Sequence, residues 1–318
     1  MTDDRAARGP DVSRSRGKRQ RSDRGRGPRS PPALRSVIGI GPADPRYPRR
    51  LLDVRCPPDP LWIDGDHLAL GMRAVSIVGT RRMTPYGARV ARELASACAG
   101  VGFVVVSGLA QGVDSAAHEG ALEARGRTVA VLGAGLTFYL EDARGRRRRL
   151  AHAIRARGAL ISEFPPDAPP KKWTFAQRDT TIAALGEVTV VVEAPVGSGA
   201  LITAEEARRL GRPVYAVPGP IGAAASAGAN ALIATGAAKA LTGAAMLLEV
   251  VGSFTRARVH DVDDLDARIL DALASSPAGP DSLARRVGMN AGDLSSRLAR
   301  LVIRGVVAAA PDGRFVRR

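Results

Sequence analysis

VSIVGTRR, residues 75–82, and FVVVSGLAQGVDSAAH, residues 103–118, are two apolar runs that each end in a small, polar, glycine-containing turn. After each turn the residues take on helical periodicity; Tyr86, Val90, Leu94 and Ala97 recur at three- and four-residue spacing, which makes one buried face. Strand, glycine turn, helix is the unit from which an open parallel sheet is built, and it sets the turns over the carboxyl ends of the strands, where such sheets bind ligands. Glycine in these turns lets backbone N–H groups approach an anion closely. The first turn adds Arg81 and Arg82, so the pair reads as a phosphate-binding surface.

The same grammar continues outward. Further strands are expected at Thr128–Leu132, Leu160–Glu163, Val188–Glu193 and Val214–Pro218, with helices between them. Strands that are apolar throughout imply a mostly parallel, doubly wound sheet covered on both faces, hence an α/β fold over residues 73–252. Residues 34–72 are punctuated by proline and read as an irregular lead-in segment. Residues 1–33 hold ten basic and four acidic residues with almost nothing to bury, the composition of a disordered basic tail. Residues 253–262 read as a polar linker. Residues 263–318 change character: three helical stretches, Leu265–Leu273, Ser282–Arg286 and Leu294–Ile303, precede two short strands around Asp312-Gly313. That order predicts a small winged helix.

Charge narrows the partner. The chain of 318 residues carries a formal net charge of +16, and the basic tail accounts for only +6 of it. An excess of this size with no apolar anchoring segment points to nucleic acid rather than to a membrane. The winged helix, with nine Arg against seven Asp, is too mildly charged to demand duplex DNA; Arg297, Arg300 and Arg304 on its third helix face Asp293 in the tally. Cys56 and Cys98, and His67, His118, His152 and His260, form no metal or redox spacing, so no metal or cofactor is expected. No run of 18 apolar residues occurs and no signal-peptide core is present, so a cytoplasmic protein is expected.

Five places carry the chemistry. Gly79, Thr80 and Arg81 form the first anion-friendly turn, and Ser107, Gly108 and Gly112 the second, at a helix N-terminus whose dipole favours negative charge. Asp114 is placed to cap that helix; His118, four residues on, lies on the same face and reads as scaffold rather than general base, since no nucleophile accompanies it. A third turn contains Gly197, Ser198 and Gly199. Lys171 to Arg178 interleaves cations with Trp173 and Phe175, so that Lys172 and Arg178 suit a phosphate backbone and Phe175 a base face. Arg144 and Arg146–Arg149 form a basic run at a helix start, read either as a solvated face or as a phosphate-tracking patch.

VGTRRMTPYG, SGLAQGVDSAAH, ISEFPP, the Gly-Ser-Gly turn followed by Leu-Ile-Thr-Ala, AVPGP and GANALI, in this order, resemble the DNA-processing protein A family (DprA, also called Smf). The resemblance implies an extended Rossmann-like fold that binds single-stranded DNA as a homodimer, without catalysis, and helps load the RecA recombinase during DNA uptake. It implies DNA contacts at Gly79, Thr80 and Arg81 and at Lys172 and Phe175. The sequence departs from the family at Arg178-Asp179-Thr180-Thr181, where Arg-Asn-Arg is usual, and at Ser198-Gly199-Ala200-Leu201, where a second serine is usual. Loss of a cation and gain of an acid predict weaker DNA binding. Two alternatives share the fold, a small-nucleotide sensor and a phosphoribohydrolase. The latter's Pro-Gly-Gly-x-Gly-Thr-x-x-Glu motif would begin at Pro195 and put Thr203 where the catalytic Glu belongs; Glu205 and Glu206 are offset from it.

Overall fold

A computed structural model describes residues 37–260, 264–303, 305–310 and 312–317. The basic tail expected at 1–33 lies outside the described residues.

The chain enters through two short strands, β1 (Ile38–Ile40) and β2 (Leu61–Gly65). It continues through β3 (Ala74–Val78), α1 (Pro85–Gly100), β4 (Val104–Ser107), α2 (Val113–Glu123) and β5 (Thr128–Leu132). Two helices, α3 (Leu136–Asp142) and α4 (Gly145–Arg157), lead to β6 (Ala159–Ser162), then α5 (Lys172–Leu185) and β7 (Val188–Val191). The remaining turns of the winding are α6 (Gly199–Arg209), β8 (Val214–Ala216), α7 (Ala227–Ala234), β9 (Lys239–Ala240) and α8 (Ala244–His260). These strands make one nine-stranded sheet in the order β1-β2-β6-β5-β4-β3-β7-β8-β9. Only β1 and β2 run antiparallel to their neighbours. The winding reverses between β3 and β7, because β4 to β6 extend the sheet to one side and β7 to β9 to the other. This switch point is where an open α/β sheet leaves a crevice.

Why the sheet is covered on both faces follows from its residues. Val75, Ile77, Val105, Val188 and Val190 point to one face and pack against α1, α2 and α8 through Leu94, Ala95, Ala117 and Leu247. Their neighbours Ala74, Val78, Val104, Val106 and Val191 point to the other, against Ile182–Leu185 of α5 and Ala200, Ala204 and Ala207 of α6. Period-two alternation with both faces apolar leaves no polar side. Ser76, fully buried on β3, fits because its hydroxyl donates to Ile182 O at 2.6 Å. Helix α1 starts where it does because Thr84 caps it, its Oγ1 accepting from Gly87 N, with Pro85 in the first turn.

Two sequence expectations change. The lead-in segment is not irregular throughout: it supplies β1 and β2, pairs with β6 through Trp62–Gly65, and buries Leu51, Leu61 and Ile63 in the core. Proline-rich spacing hid strands only three and five residues long. The joint expected at 253–262 is largely helical, since α8 runs on to His260.

The last segment contains α9 (Asp264–Ser275), α10 (Pro280–Val287), α11 (Ala291–Ile303) and a hairpin of β10 (Val307–Ala309) and β11 (Phe315–Arg317). Ala278 bridges to Phe315, and Ile269, Leu273, Leu283, Leu294, Leu298 and Leu301 form its own core. This is a winged-helix arrangement. Arg297 is engaged by Asp266 at 2.8 Å, while Arg304 and the side chain of Arg300 lie outside the described residues.

If β2 belongs to the fold rather than decorating it, Leu61→Ala should cost about 2–5 kcal/mol, as Ile77→Ala should at the sheet centre. Urea denaturation of both variants checks this; a near-zero cost for Leu61→Ala alone would make the lead-in an accessory.

Candidate nucleic-acid interface

Three turns converge at the switch point: Gly79–Arg81 after β3, Ser107–Gly112 after β4, and Glu193–Gly199 after β7. Their mutual placement depends on buried polar contacts. Thr80 N donates to Glu193 O at 2.6 Å, and the Glu193 carboxylate accepts from Thr84 N at 2.9 Å and Thr84 Oγ1 at 2.6 Å. Glu193, 2% exposed, thus clamps the Arg81 turn to the start of α1. Gly112 sits at φ +85°, and a Cβ there would fall 2.2 Å from Thr80 O, so only glycine lets the first two turns meet.

Arg178 occupies the centre. Its guanidinium donates to Gly108 O and, at 3.1 Å, to Val131 O. It also lies 3.1 Å from Asp179 Oδ1 and 4.0 Å from Asp114 Oδ2. A Cβ on Gly108 would overlap this guanidinium, which explains the glycine. Arg178 is buried, so the expectation that it offers its charge to a ligand is corrected: burial obliges it to compensate groups inside the protein. Asp179, expected beside a DNA path where it would repel phosphate, is also buried and faces Arg178. Burial pushes its carboxyl from the ordinary 3.8 to about 7, against the pull of Arg178. Burial raises Asp114 too, again opposed by Arg178, while Ala110 N donates to it at 3.4 Å in the first turn of α2.

His118 is fully buried. The Thr128 hydroxyl donates to Val105 O at 2.7 Å, so its 2.6 Å bond with His118 Nδ1 is received from the ring. Burial first, and Arg178 second, hold the imidazole down at about 3, leaving it neutral. Ser107 is equally internal, its hydroxyl donating to Ile77 O at 2.6 Å. Neither offers a group to a ligand.

The outward-facing groups are others. Arg81 is exposed, with its guanidinium carbon 5.2 Å from the centroid of the half-buried Phe175 ring; Arg178 lies 5.9 Å from the same ring. Lys172 is exposed in the first turn of α5, and Trp173, 55% exposed, meets Phe164 edge-on at 5.5 Å. Arg81, Phe175 and Arg178 form a wall between two clefts. One, of about 250 Å³, is lined by Gly79, Lys172, Asp179, Gly199 and Thr203. The other, of about 420 Å³, is lined by Gly108, Gly133, Phe138, Tyr139 and Arg147. Thr80, Gly112, Gly197 and Ser198 line neither cleft: Thr80 is buried, Gly197 adopts φ +76° in the turn, and Ser198 caps α6 by accepting from Ala200 N at 3.4 Å.

Glu193, Phe138 and Tyr139 were not singled out from the sequence. The Thr84-Pro85 helix start signals that a partner is needed nearby but not which acid supplies it. Phe138 and Tyr139 stand in an ordinary apolar helical pattern that reads as core. Among the described residues no group of three or more His, Cys, Asp or Glu is arranged to hold a metal ion.

The family model for DNA recombination-mediator protein A matches residues 39–252, and the DprA winged helix domain matches residues 255–313. Protein Smf of Synechocystis sp. is 33% identical, over 88% of this chain and 80% of its own. The structure of DNA processing protein A from Streptococcus pneumoniae superposes with a TM-score of 0.63 at 34% identity, covering 68% of this chain and 75% of that one. That of DNA processing protein A from Helicobacter pylori, described for its single-stranded DNA binding mode, gives 0.61 at 27% identity, covering 69% and 96%.

The Asp179 carboxyl fixes a pH dependence. Its folded value lies above its unfolded one, so between about 4 and 7 the folded state holds a proton that the unfolded state has released, and stability falls as pH rises through that window. Asp179→Asn should flatten this part of the stability–pH curve. Urea midpoints measured from pH 4 to pH 8 check it; an unchanged slope in the variant would assign the titration to another group.

Proposed function

Because the chain belongs to the DNA recombination-mediator protein A family, we propose that it binds single-stranded DNA without sequence preference and without chemistry on the strand. The observation that carries this reading is the grouping of exposed cations with a half-buried aromatic ring: Arg81 and Lys172 are exposed and line the smaller cleft together with Phe175, at the switch point of the sheet. Charge neutralises the backbone and a flat ring takes a base, which is how sequence-tolerant single-strand binding is built. Arg81 now covers the Phe175 ring at 5.2 Å, so an incoming base displaces a solvent-facing guanidinium rather than a buried one. Membership of the family supports a role in protecting incoming single strands and in loading RecA, with a homodimer as the working form and the cytoplasm as the compartment. Among the described residues no helix is long and apolar enough to cross a membrane.

A hydrolytic reading finds less support. Thr203 lines the smaller cleft at the place where a phosphoribohydrolase would need its carboxylate. Glu205 and Glu206 instead pair with Arg208 and Arg209 along the outside of α6. The one observation that favours small-nucleotide chemistry is the pair of raised carboxylates, Asp114 and Asp179, in a cleft.

Titration with single-stranded DNA, duplex DNA and mononucleotides separates these readings. Single-strand affinity should exceed duplex affinity and fall with salt, log K dropping by about 0.7 per phosphate contacted for each tenfold rise in salt. Arg81→Ala and Lys172→Ala should each lower that slope by about one contact, and Phe175→Ala should cost about 1–3 kcal/mol. Saturable mononucleotide binding with release of product, and no competition by DNA, would favour the enzyme or sensor instead.

A further inference from the structure

We propose that α4 carries a bound strand beyond the clefts, as a backbone-only track leading from the carboxyl ends of the strands to an arginine-lined cavity at their amino ends. The inference rests on the single-strand reading above and adds a second contact region to it.

The placement is set by α4 itself. At its start, Arg147 lines the larger cleft beside Arg81 and Phe175, its guanidinium carbon 5.2 Å from the Tyr139 ring. At its end, Arg157 lines a cavity of about 700 Å³, together with Arg125 and Arg127, which precede β5, and Gly102, which precedes β4. Ten residues of helical rise put these two places about 15 Å apart. Leu150, Ala151 and Ile154 hold the helix on the sheet, which turns the Arg147–Arg149 segment outward. Some of its cations are engaged: Arg146 pairs with Glu119 and Arg155 with Asp64. Arg147, Arg148 and Arg149 have no acidic partner among the described residues, and in the lower cavity Arg127 meets Asp66 only at 3.6 Å.

The chemistry of the track selects the ligand. An interface for a folded protein needs a buried apolar centre as well as charge. The outward positions of α4 from Arg146 to Arg149 offer four consecutive arginines and nothing apolar until the buried Leu150. Guanidinium forks match phosphate oxygens, and the ring contact at the start of α4 is made by Arg147, so Arg148 and Arg149 offer charge without a stacking platform. Continuity with the Arg81–Phe175 wall through Arg147 makes the phosphates those of a strand already seated in the clefts.

The test compares two lengths of oligothymidylate on the full chain, about six nucleotides, which the clefts alone accommodate, and about thirty. Arg125→Gln, Arg148→Gln and Arg149→Gln combined should leave affinity for the short strand within about twofold. For the long strand the affinity should fall roughly tenfold or more, and the salt slope should drop by about 2, the loss of three contacts at about 0.7 each. The matching triple Arg→Lys variant, which keeps the charges, should retain most of the long-strand affinity. Unchanged long-strand binding and slope in the Gln variant would overturn the track, and reduced binding of polyglutamate in that same variant would reassign the ridge to an acidic protein. Equal losses for both lengths would also overturn it, leaving only a general field. Failure of the unaltered protein to bind either strand would instead overturn the single-strand reading itself.

Discussion

The interaction on which the site depends is the burial of Arg178. A guanidinium withdrawn from water costs several kcal/mol unless its donors and its charge are both met. Here Nη1 donates to the carbonyls of Gly108 and Val131, and Asp114 and Asp179 balance the charge, with Nε facing Asp179 Oδ1 at 3.1 Å without an aligned hydrogen bond. Those four partners come from the ends of β4 and β5, from α2 and from α5. Meeting the needs of one side chain therefore fixes the loops on one side of the switch point. Gly108 completes the arrangement, because any side chain there would occupy the guanidinium's own volume.

Fixing one cation inside allows others to be free outside. The turn that bears Arg81 is held by Glu193 through backbone and Thr84 contacts, none of which uses the Arg81 side chain. Lys172 stands at the start of α5, where the helix backbone is secured by Thr174, its hydroxyl donating to Gly133 O at 2.5 Å. Both cations are thus presented from rigid backbone on flexible stems. A flexible polyanion is suited by that combination, since the positions are precise and the heads can follow phosphates.

Sequence periodicity revealed the parallel sheet because its central strands are Val-rich runs of four or five residues, each followed by a glycine turn. It did not reveal β1 and β2, whose short lengths and flanking prolines carry no such signal. The polar composition of residues 253–262 suggested a break, yet a helix tolerates exposed polar residues, and α8 continues through them. At the site, Arg81, Lys172 and Phe175 were legible as cations and an aromatic next to glycine turns. Arg178 was not distinguishable from them, because a basic residue three positions after an aromatic looks the same whether it faces solvent or core. Only the convergence of Gly108, Val131 and Asp114, distant in sequence, decides it. The larger cleft was invisible for a similar reason: Phe138 and Tyr139 have the spacing of core residues, and only the close approach of the β4 and β5 loops leaves them around a hollow.

The departure at Asp179 takes on a different meaning in this setting. One guanidinium faces two buried carboxylates, an imbalance of one negative charge if both ionise. Burial and mutual repulsion favour keeping a proton on the pair, which is why Asp179 sits near 7 rather than 3.8. An acid in place of a neutral amide therefore presents less than a full negative charge to the smaller cleft at neutral pH, and Arg178 at 3.1 Å faces it. The carboxylate from which the sequence alone suggested repulsion is buried and turned toward Arg178. Thr180 still lacks the cation usual two residues after Arg178, but exposed arginines stand along α4, beginning at the rim of the neighbouring cleft. A cation missing at position 180 therefore does not leave this side of the sheet without exposed positive charge, since Arg147, Arg148 and Arg149 face solvent on α4.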